Sequence, residues 1–338
     1  MDTLTTRLSR TAVWNGDGIE LLEVPLPPLR EGEILVRVHL ATICGSDLHT
    51  VTGRRSAACP SVLGHEAIGA VEAVGPGTPA AEIGDRIIWS VTVGCGHCAR
   101  CVAGRTAKCE AVRKVGHERF DGAWPLSGSY AQYIVLPAGT AVVPVPSTMS
   151  DSVAAPAACA TATVMATIEA AGPLHRKRVL IYGAGMLGIT AAAACAKAGA
   201  RVRITDLDDA RVELAHRFGA TADTGGSVDI VLDYSGSAAA IADGLARLDV
   251  GGVLVLAGSV APGPALAVNP ESVVRRLVTI TGVHNYEPRH LARAIEFLDD
   301  TREVFPWTEV VSAPITLDDL PYALGTPPTN ILRVSVAP

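Results

Sequence analysis

The chain has 338 residues, of which 49% are hydrophobic and 18% are charged, and its formal net charge is -6. This length favours two domains, and the negative net charge, with no basic run longer than the three residues of RKR, argues against a nucleic-acid partner. No apolar run approaches the roughly 18 residues that cross a bilayer, and the start MDTLTTRLSR carries no apolar targeting segment. We therefore expect a cytoplasmic protein without a membrane partner.

Short runs rich in Val and Ile, separated by Gly and Pro, fill the first part of the chain. Examples are EILVRVHL, HEAIGAVEAVG, GDRIIWSVTVG and YAQYIVLP. Strands of this length and composition predict a small, antiparallel, barrel-like domain.

Four of the eight cysteines fall in a single loop, CGHCARCVAGRTAKC. They are Cys95, Cys98, Cys101 and Cys109, with the spacing C-x2-C-x2-C-x7-C. Four thiolates close a tetrahedron around Zn2+ and leave no open position, which predicts a structural zinc site that pins the loop. An iron–sulfur cluster takes the same ligands, and four unrelated loop cysteines are the remaining interpretation.

A glycine fingerprint marks the second half, in RVLIYGAGMLGITAAAACAKAGARVRITD. A short strand leads into GAGMLG, where Gly183, Gly185 and Gly188 enclose Met186 and Leu187, and an Ala-rich helix follows. This pattern predicts a dinucleotide site, because the glycines permit a tight turn and close approach of a pyrophosphate to the helix N-terminus. Asp206 ends the next strand, where an acid can bind the adenosine ribose and would repel a 2′-phosphate. NAD is therefore preferred over NADP, although an ordinary strand–turn–helix with an incidental aspartate is also compatible.

Strand and helix patterns continue to alternate after the fingerprint. VDIVLDYSG precedes a helix and GGVLVLAGS follows it as a buried strand, as in the crossover units of a parallel sheet. We expect the dinucleotide-binding domain at residues 154–285, and the mainly β domain at 1–153 and 286–338. The second of these segments carries an amphipathic helix at 290–298 and a last strand, LRVSV.

The motifs CGSDLH, LGHEAIGAVEAVG and GDRI, together with the four-cysteine loop and GAGMLG, resemble those of the zinc-dependent alcohol dehydrogenases of the medium-chain dehydrogenase/reductase superfamily. The resemblance implies an α/β protein: a Rossmann doubly wound parallel sheet plus a GroES-like, mainly β catalytic domain. It also implies a homodimer or homotetramer. The segments ACATATV and RKVGHERFDGAWPLSGSY are most similar to a subgroup associated with phosphonate catabolism.

The resemblance further implies two zinc ions per chain, one structural and one catalytic. The catalytic ion would take Cys44, His65 and Cys159, and Glu66 is the carboxylate that can approach it. The protein would then use zinc and NAD to interconvert a small polar alcohol and its aldehyde or ketone by hydride transfer. Relatives that lack zinc act as quinone reductases or are non-catalytic, but here the expected ligands are all present.

Proton transfer is the role that the resemblance gives to Ser46 and His49. Asp47, between them, would orient His65. Taken alone, Ser46 and His49 would more often be solvated loop residues.

Three more positions match cofactor contacts of the family. Thr163 would pack against the nicotinamide, Arg211 would contact the ribose, and Arg333 would contact the pyrophosphate. Each is equally compatible with a helix cap or a surface side chain.

The substrate is suggested by HTVTGRRS and by the second GHE of the sequence, KVGHERFDG. Arg54 or Arg55 would pair with an anionic head group such as phosphonate or phosphate, and a solvated loop pair is the alternative. His117 is either a hydrogen-bonded loop histidine or part of the substrate pocket. The main alternative substrate is a cyclitol or other polyol, against which stands Cys159 at a position where some polyol-oxidising relatives carry Glu.

Overall fold

Two structural units make up the protein, whose structure is a computed structural model describing residues 7–78, 81–326 and 331–338. The first unit runs to Cys159 and is completed by Glu287–Asp299 and Trp307–Pro338. The second unit comprises Ala160–Tyr286 and Asp300–Pro306.

These boundaries differ from the expected ones by one residue at Tyr286 and by several residues at two other places. Residues 154–159 belong to the first unit, because residues 155–158 form a fully buried 3-10 helix that packs against strands of that unit. Residues 300–306 belong to the second unit, where the ring of Phe305 stacks on that of Phe218 with centroids 5.9 Å apart. Neither contact is visible in the hydrophobic periodicity from which the boundaries were predicted.

Regular structure alternates with tight turns along the described chain. The strands are β1 (Leu8–Trp14), β2 (Ile19–Pro25), β3 (Ile34–Thr42), β4 (Ser61–Val62), β5 (Glu66–Val74), β6 (Arg86–Trp89), β7 (Thr92–Val93), β8 (Arg113–Lys114), β9 (Tyr133–Leu136), β10 (Val142–Pro144), β11 (Arg178–Tyr182), β12 (Arg201–Thr205), β13 (Ala220–Ala222), β14 (Val228–Asp233), β15 (Leu248–Leu256), β16 (Thr279–Gly282) and β17 (Ser335–Val336). The α-helices are α1 (Gly45–Val51), α2 (Ala99–Val102), α3 (Asp151–Ala154), α4 (Ala160–Ala171), α5 (Met186–Lys197), α6 (Asp209–His216), α7 (Ala238–Arg247), α8 (Pro270–Arg276), α9 (Pro288–Thr301) and α10 (Leu320–Gly325).

The first unit is built on antiparallel sheets. The largest has the order β10-β6-β5-β3-β17, with β9 also pairing β3, and two smaller sheets have the orders β2-β1-β4 and β7-β8. Most residues of β3 and β5 are buried, and together with β9 these strands contribute Val36, Val71 and Ile134 to a common core. The strand expected at LRVSV is short, and β17 pairs Ser335 with Thr42 of β3.

The second unit is a parallel sheet with the order β13-β12-β11-β14-β15-β16. The strand that comes first in the sequence, β11, lies in the middle, and the chain proceeds outwards on both sides of it. Its side chains from Val179 to Tyr182 are all buried, as expected for a parallel strand covered on both faces. The structure confirms the prediction of a doubly wound sheet joined to a mainly β domain.

A helix that crosses a bilayer needs about 20 predominantly apolar residues. No single helix in the described residues is long and apolar enough, and only the broken pair Asp151–Ala158 and Ala160–Ala171 meets that measure by length and composition. Most side chains of the second helix of this pair are buried in the protein.

Candidate functional site

Four side chains that can bind a metal converge in the first unit. Cys44 caps α1, His65 and Glu66 stand at the start of β5, and Cys159 follows the 3-10 helix at 155–158. One ligand atom from each lies within 4.8 Å of all the others. The structure thus brings together the three residues expected to share an ion, with Glu66 beside them.

The two thiols of this cluster differ in acidity because they contact each other. The pKa of Cys44 is lowered well below its usual value, chiefly because Cys159 hydrogen-bonds to its sulfur, while burial opposes the shift and Arg333 assists it. The same contact and burial raise the pKa of Cys159 well above its usual value. Two sulfurs and one imidazole are a donor set that Zn2+ takes at catalytic sites, so these residues fit the ion that their motifs imply.

Asp47 lies behind His65. Its Oδ2 accepts hydrogen bonds from the backbone N–H of Cys44 and from the hydroxyl of Tyr130, both at 2.9 Å. Its Oδ1 is 3.5 Å from Nδ1 of His65, which is long for a hydrogen bond. Burial lowers the pKa of His65, but attraction to the nearby charge of Asp47, with the adjacent Cys44, outweighs burial and raises it well above its usual value.

Glu66 forms a buried ion pair with Arg333. Nε and Nη2 of Arg333 donate to the two carboxylate oxygens at 2.7 and 3.0 Å, and Thr42 adds a hydroxyl donor at 2.7 Å. Burial raises the pKa of Glu66 to about 7, although Arg333 opposes that shift. Nη2 of Arg333 also lies 3.7 Å from the sulfur of Cys44.

Arg333 has a partner within the protein that the sequence did not predict. Arg333 is 7% exposed, and its guanidinium forms two hydrogen bonds with the carboxylate of Glu66. The physical reason is that a fully buried carboxylate needs a cation close by. Sequence reasoning could not pair two residues separated by 267 positions.

Ser46 and His49 lie on α1, one turn apart. Oγ of Ser46 is 3.2 Å from Nε2 of His65, so the hydroxyl borders the metal-binding atoms. His49 is half-buried, and its carbonyl accepts the N–H of Arg55 at 3.0 Å. Arg54 is exposed, whereas Arg55 is partly buried, so the two arginines have different surroundings.

His117 lies against His65 without joining the four-residue cluster. The two ring centroids are 5.3 Å apart with the rings edge to face. Nδ1 of His117 donates to the carbonyl of Val115 at 2.8 Å, since a carbonyl can only accept. Burial, with the nearby charges of His65 and Arg55, lowers the pKa of His117 to about 3. The ring is therefore neutral near pH 7.

Lys114 was not singled out from the sequence. It ends β8, three residues before His117, and burial lowers the pKa of its ammonium group, as do the neighbouring cations of Arg55 and Lys108. Glu118 opposes this shift, and its Oε1 accepts the backbone N–H of Lys114 at 2.8 Å. A basic pair, Arg55 and Lys114, thus stands beside His117. Only the tertiary fold reveals it, because nothing in RKVGHE distinguishes Lys114 from a surface lysine.

The four loop cysteines form a second cluster in the first unit. Their sulfur atoms lie within 4.8 Å of one another, around α2. Backbone N–H groups point at the sulfurs, with Cys95 donating to Cys109 at 3.2 Å and Cys98 donating to Cys95 at 3.3 Å. Such donors stabilise thiolates, and four thiolates fit a closed tetrahedral zinc site.

The glycine fingerprint forms the turn between β11 and α5 in the second unit. Gly183 has φ +93°, and a Cβ on Gly188 would lie 1.8 Å from the carbonyl oxygen of Gly183, so a larger residue is excluded at both positions. Gly185 caps the helix, and a Cβ there would meet nothing within 4 Å. Met186 and Leu187 open the first turn of the helix. The turn leaves space at a helix N-terminus, where a pyrophosphate fits.

Asp206 directly follows β12, and its carboxylate is hydrogen-bonded to the backbone of this turn. Its Oδ2 accepts the N–H of Ala184 at 2.6 Å, and its Oδ1 accepts the N–H of Asp208 at 3.0 Å. Arg211 pairs with Asp208 on α6, with Nε 3.5 Å from Oδ2. Thr163 is a half-buried residue of α4.

Two protein-family models and several curated relatives match this chain. A family model for the alcohol dehydrogenase GroES-like domain matches residues 30–147, and one for zinc-binding dehydrogenases matches residues 187–300. L-threonine 3-dehydrogenase of Edwardsiella ictaluri is 33% identical over 295 residues, covering 80% of this chain and 82% of that protein.

Solved structures share the fold over nearly the full length. An alcohol dehydrogenase of Thermotoga maritima has a TM-score of 0.90 at 24% identity, with 98% of this chain and 99% of that chain covered. A Sinorhizobium meliloti protein described as a zinc-binding dehydrogenase, bound to NADP, has a TM-score of 0.88 at 24% identity, with the same coverage. At this level of identity the likeness establishes the fold.

Proposed function

Because this chain belongs to the zinc-dependent alcohol dehydrogenases of the medium-chain dehydrogenase/reductase superfamily, we propose that it interconverts a small polar alcohol and its aldehyde or ketone with NAD. The observation that carries the proposal is the convergence of Cys44, His65 and Cys159 within 4.8 Å. The test is the absorbance of NADH formed from a panel of alcohols.

The cluster provides the means to ionise an alcohol. Cys44, His65 and Cys159 would hold the catalytic zinc, whose Lewis acidity lowers the pKa of a hydroxyl. Glu66 remains paired with Arg333, which keeps its negative charge compensated beside the thiolates. The second cluster, at Cys95, Cys98, Cys101 and Cys109, would hold the structural zinc.

Ser46 and His49 are suited to carry the proton away. The Ser46 hydroxyl borders the cluster, 3.2 Å from Nε2 of His65, and can accept a proton while donating its own. His49 stands one turn later on α1 and is partly exposed, so it can pass the proton towards water.

The turn around Gly185 is the proposed dinucleotide site, with Thr163, Arg211 and the carboxylate of Asp206 as further contacts. NAD supplies the ring carbon that accepts the hydride. Asp206 supports NAD, since a carboxylate at this position binds ribose hydroxyls and repels a 2′-phosphate. The NADP bound to the S. meliloti relative makes the choice worth testing.

Asp206→Asn is expected to lower the preference for NAD over NADP by about 10- to 100-fold in kcat/KM, because a hydrogen bond to a charged group contributes about 1.5–3 kcal/mol. The variant keeps the side-chain shape and one acceptor for the N–H of Ala184. Kinetics with both cofactors measure the change, with Asp208→Asn as the neighbouring control. A wild-type enzyme that is faster with NADP would contradict the assignment.

The positive charges of Arg55 and Lys114, near the cluster that contains His65, favour a substrate with an anionic group. Arg55 and Lys114 lie near His117, which contacts His65, and within the described part of the chain neither cation has an ion-pair partner. A phosphonate or phosphate would complement both charges. The L-threonine 3-dehydrogenase relative suggests a carboxylate-bearing alcohol as the second candidate.

Arg55→Ala and Lys114→Met are each expected to lower kcat/KM for 2-hydroxyethylphosphonate by about 10- to 100-fold, because each loses a charged contact. Activity on a neutral alcohol of similar size should change little. Arg54→Ala is the matched control, since the Arg54 side chain is exposed. Steady-state kinetics on phosphonate, L-threonine, a cyclitol and ethanol distinguish the alternatives. An equal loss on charged and neutral substrates would refute the anion site, and highest activity on the cyclitol would favour a polyol dehydrogenase.

Assembly into a homodimer or homotetramer is part of the proposal. The sheet of the second unit ends at β16, and Ile280 on that strand, with Val274 and Leu277 just before it, is exposed in the single chain. Edge strands with apolar neighbours pair readily with a second copy.

A further inference from the structure

Tyr130 is a fully buried residue that connects two parts of the candidate metal centre. Its hydroxyl lies 2.9 Å from Oδ2 of Asp47 and 3.4 Å from the carbonyl oxygen of Thr42. The hydroxyl has one proton to donate, and the shorter contact to a carboxylate is the stronger one. Tyr130 therefore donates to Asp47.

The ring of Tyr130 is held against the backbone that precedes His65. The backbone N–H of Tyr130 donates to the carbonyl of Leu63 at 3.1 Å, and the backbone carbonyl of Tyr130 accepts the N–H of Ala12 at 2.9 Å. A Cβ on Gly64 would lie 2.9 Å from the ring, so this close packing depends on glycine at that position. The backbone of Tyr130 is thus hydrogen-bonded through both its N–H and its carbonyl, and its ring packs against Gly64, the residue before His65. These contacts fix the position of the hydroxyl.

Two donors consequently restrain one oxygen of Asp47. The N–H of Cys44 and the hydroxyl of Tyr130 both reach Oδ2, which leaves Oδ1 facing Nδ1 of His65 at 3.5 Å. A carboxylate that faces Nδ1–H keeps the other ring nitrogen, Nε2, available for a metal. Within the described residues, Nδ1 of His65 has no closer hydrogen-bond partner.

We propose that Tyr130 is a positioning residue of the metal centre, whose hydroxyl locks the carboxylate of Asp47 and through it the orientation of His65. The inference rests on the proposed catalytic zinc at Cys44, His65 and Cys159. No sequence motif indicates this role, because Tyr130 stands 65 positions after His65 in an otherwise unmarked SGSYAQY.

The test is Tyr130→Phe, which removes the oxygen and keeps the ring. Without that donor, Asp47 is held by a single N–H, and we expect affinity for the catalytic zinc to fall about tenfold, as for other partners of metal-binding histidines. Zinc affinity is measured by competition with a chromogenic chelator, and the Co2+-substituted protein reports ligand geometry through its visible absorption. Tyr133→Phe is the control, since its hydroxyl instead bonds Arg7.

A double-mutant cycle separates positioning from general packing. If the hydroxyl acts through Asp47, Tyr130→Phe should have no added effect on zinc affinity or the cobalt spectrum in an Asp47→Asn background. Unchanged affinity and spectrum in Tyr130→Phe, or an effect that persists fully in that background, would overturn the inference. A wild-type chain that binds a single zinc would instead refute the proposed function on which the inference rests.

Discussion

Cys159→Ala is expected to remove one of two zinc ions per chain and to lower kcat/KM about a thousandfold or more. Lewis-acid stabilisation contributes several kcal/mol, and each 1.36 kcal/mol corresponds to about tenfold in rate. Cys159 is one of two sulfurs that lie within 4.8 Å of the His65 ligand atom, and alanine leaves that position without a donor. Zinc content by elemental analysis and NADH kinetics measure the two effects.

The matched control is Cys59→Ala, which removes a thiol of the same unit that belongs to neither cysteine cluster. It should keep both zinc ions and near-normal turnover. Two bound zinc ions with unchanged turnover in Cys159→Ala would refute the catalytic assignment. Normal turnover with zinc only at Cys95, Cys98, Cys101 and Cys109 would favour a zinc-independent member of the fold.

Arg333→Met should be strongly destabilising. It leaves the fully buried Glu66 without its cation, and removal of one partner from a buried ion pair costs about 3–5 kcal/mol. Methionine fills much of the same volume, so the loss reflects charge rather than a cavity. The midpoint of denaturant unfolding at fixed zinc concentration measures the change.

Two further variants isolate the cause. Arg333→Met combined with Glu66→Gln should recover part of the loss, because no uncompensated carboxylate is then buried. Arg10→Met breaks an exposed pair with Asp318, where water solvates the charges, and should have little effect. A double variant no more stable than Arg333→Met would show that the pairing with Glu66 is not the origin of the loss.

Patterns short enough to lie within one segment predicted the fold and the clusters well. The turn at Gly183 and Gly188 could be predicted because the residues that must be glycine lie close together in the sequence. The four sulfurs of Cys95 to Cys109 share one loop, so their spacing alone implied that they meet. The family resemblance supplied Cys44, His65 and Cys159, which the fold brings together although they belong to three separate segments.

The sequence did not predict contacts between residues that are far apart in the chain and meet only when the protein folds. Arg333 pairs with Glu66 because β17 and β5 both pair with β3, which brings the segment before β17 close to the start of β5. Tyr130 and Lys114 were missed for the same reason. A buried hydroxyl and a half-buried ammonium carry no signature until their surroundings are known.

The discontinuity of the first unit has a consequence for biosynthesis. Residues Ala160–Tyr286 emerge from the ribosome as one continuous segment and can build most of the parallel sheet unit at once. The first unit, although made earlier, needs β17 to pair with β3 and Arg333 to neutralise Glu66. The first unit is therefore completed after the second, and a chain truncated before Arg333 would leave the carboxylate of Glu66 beside Cys44 and Cys159 without its cation.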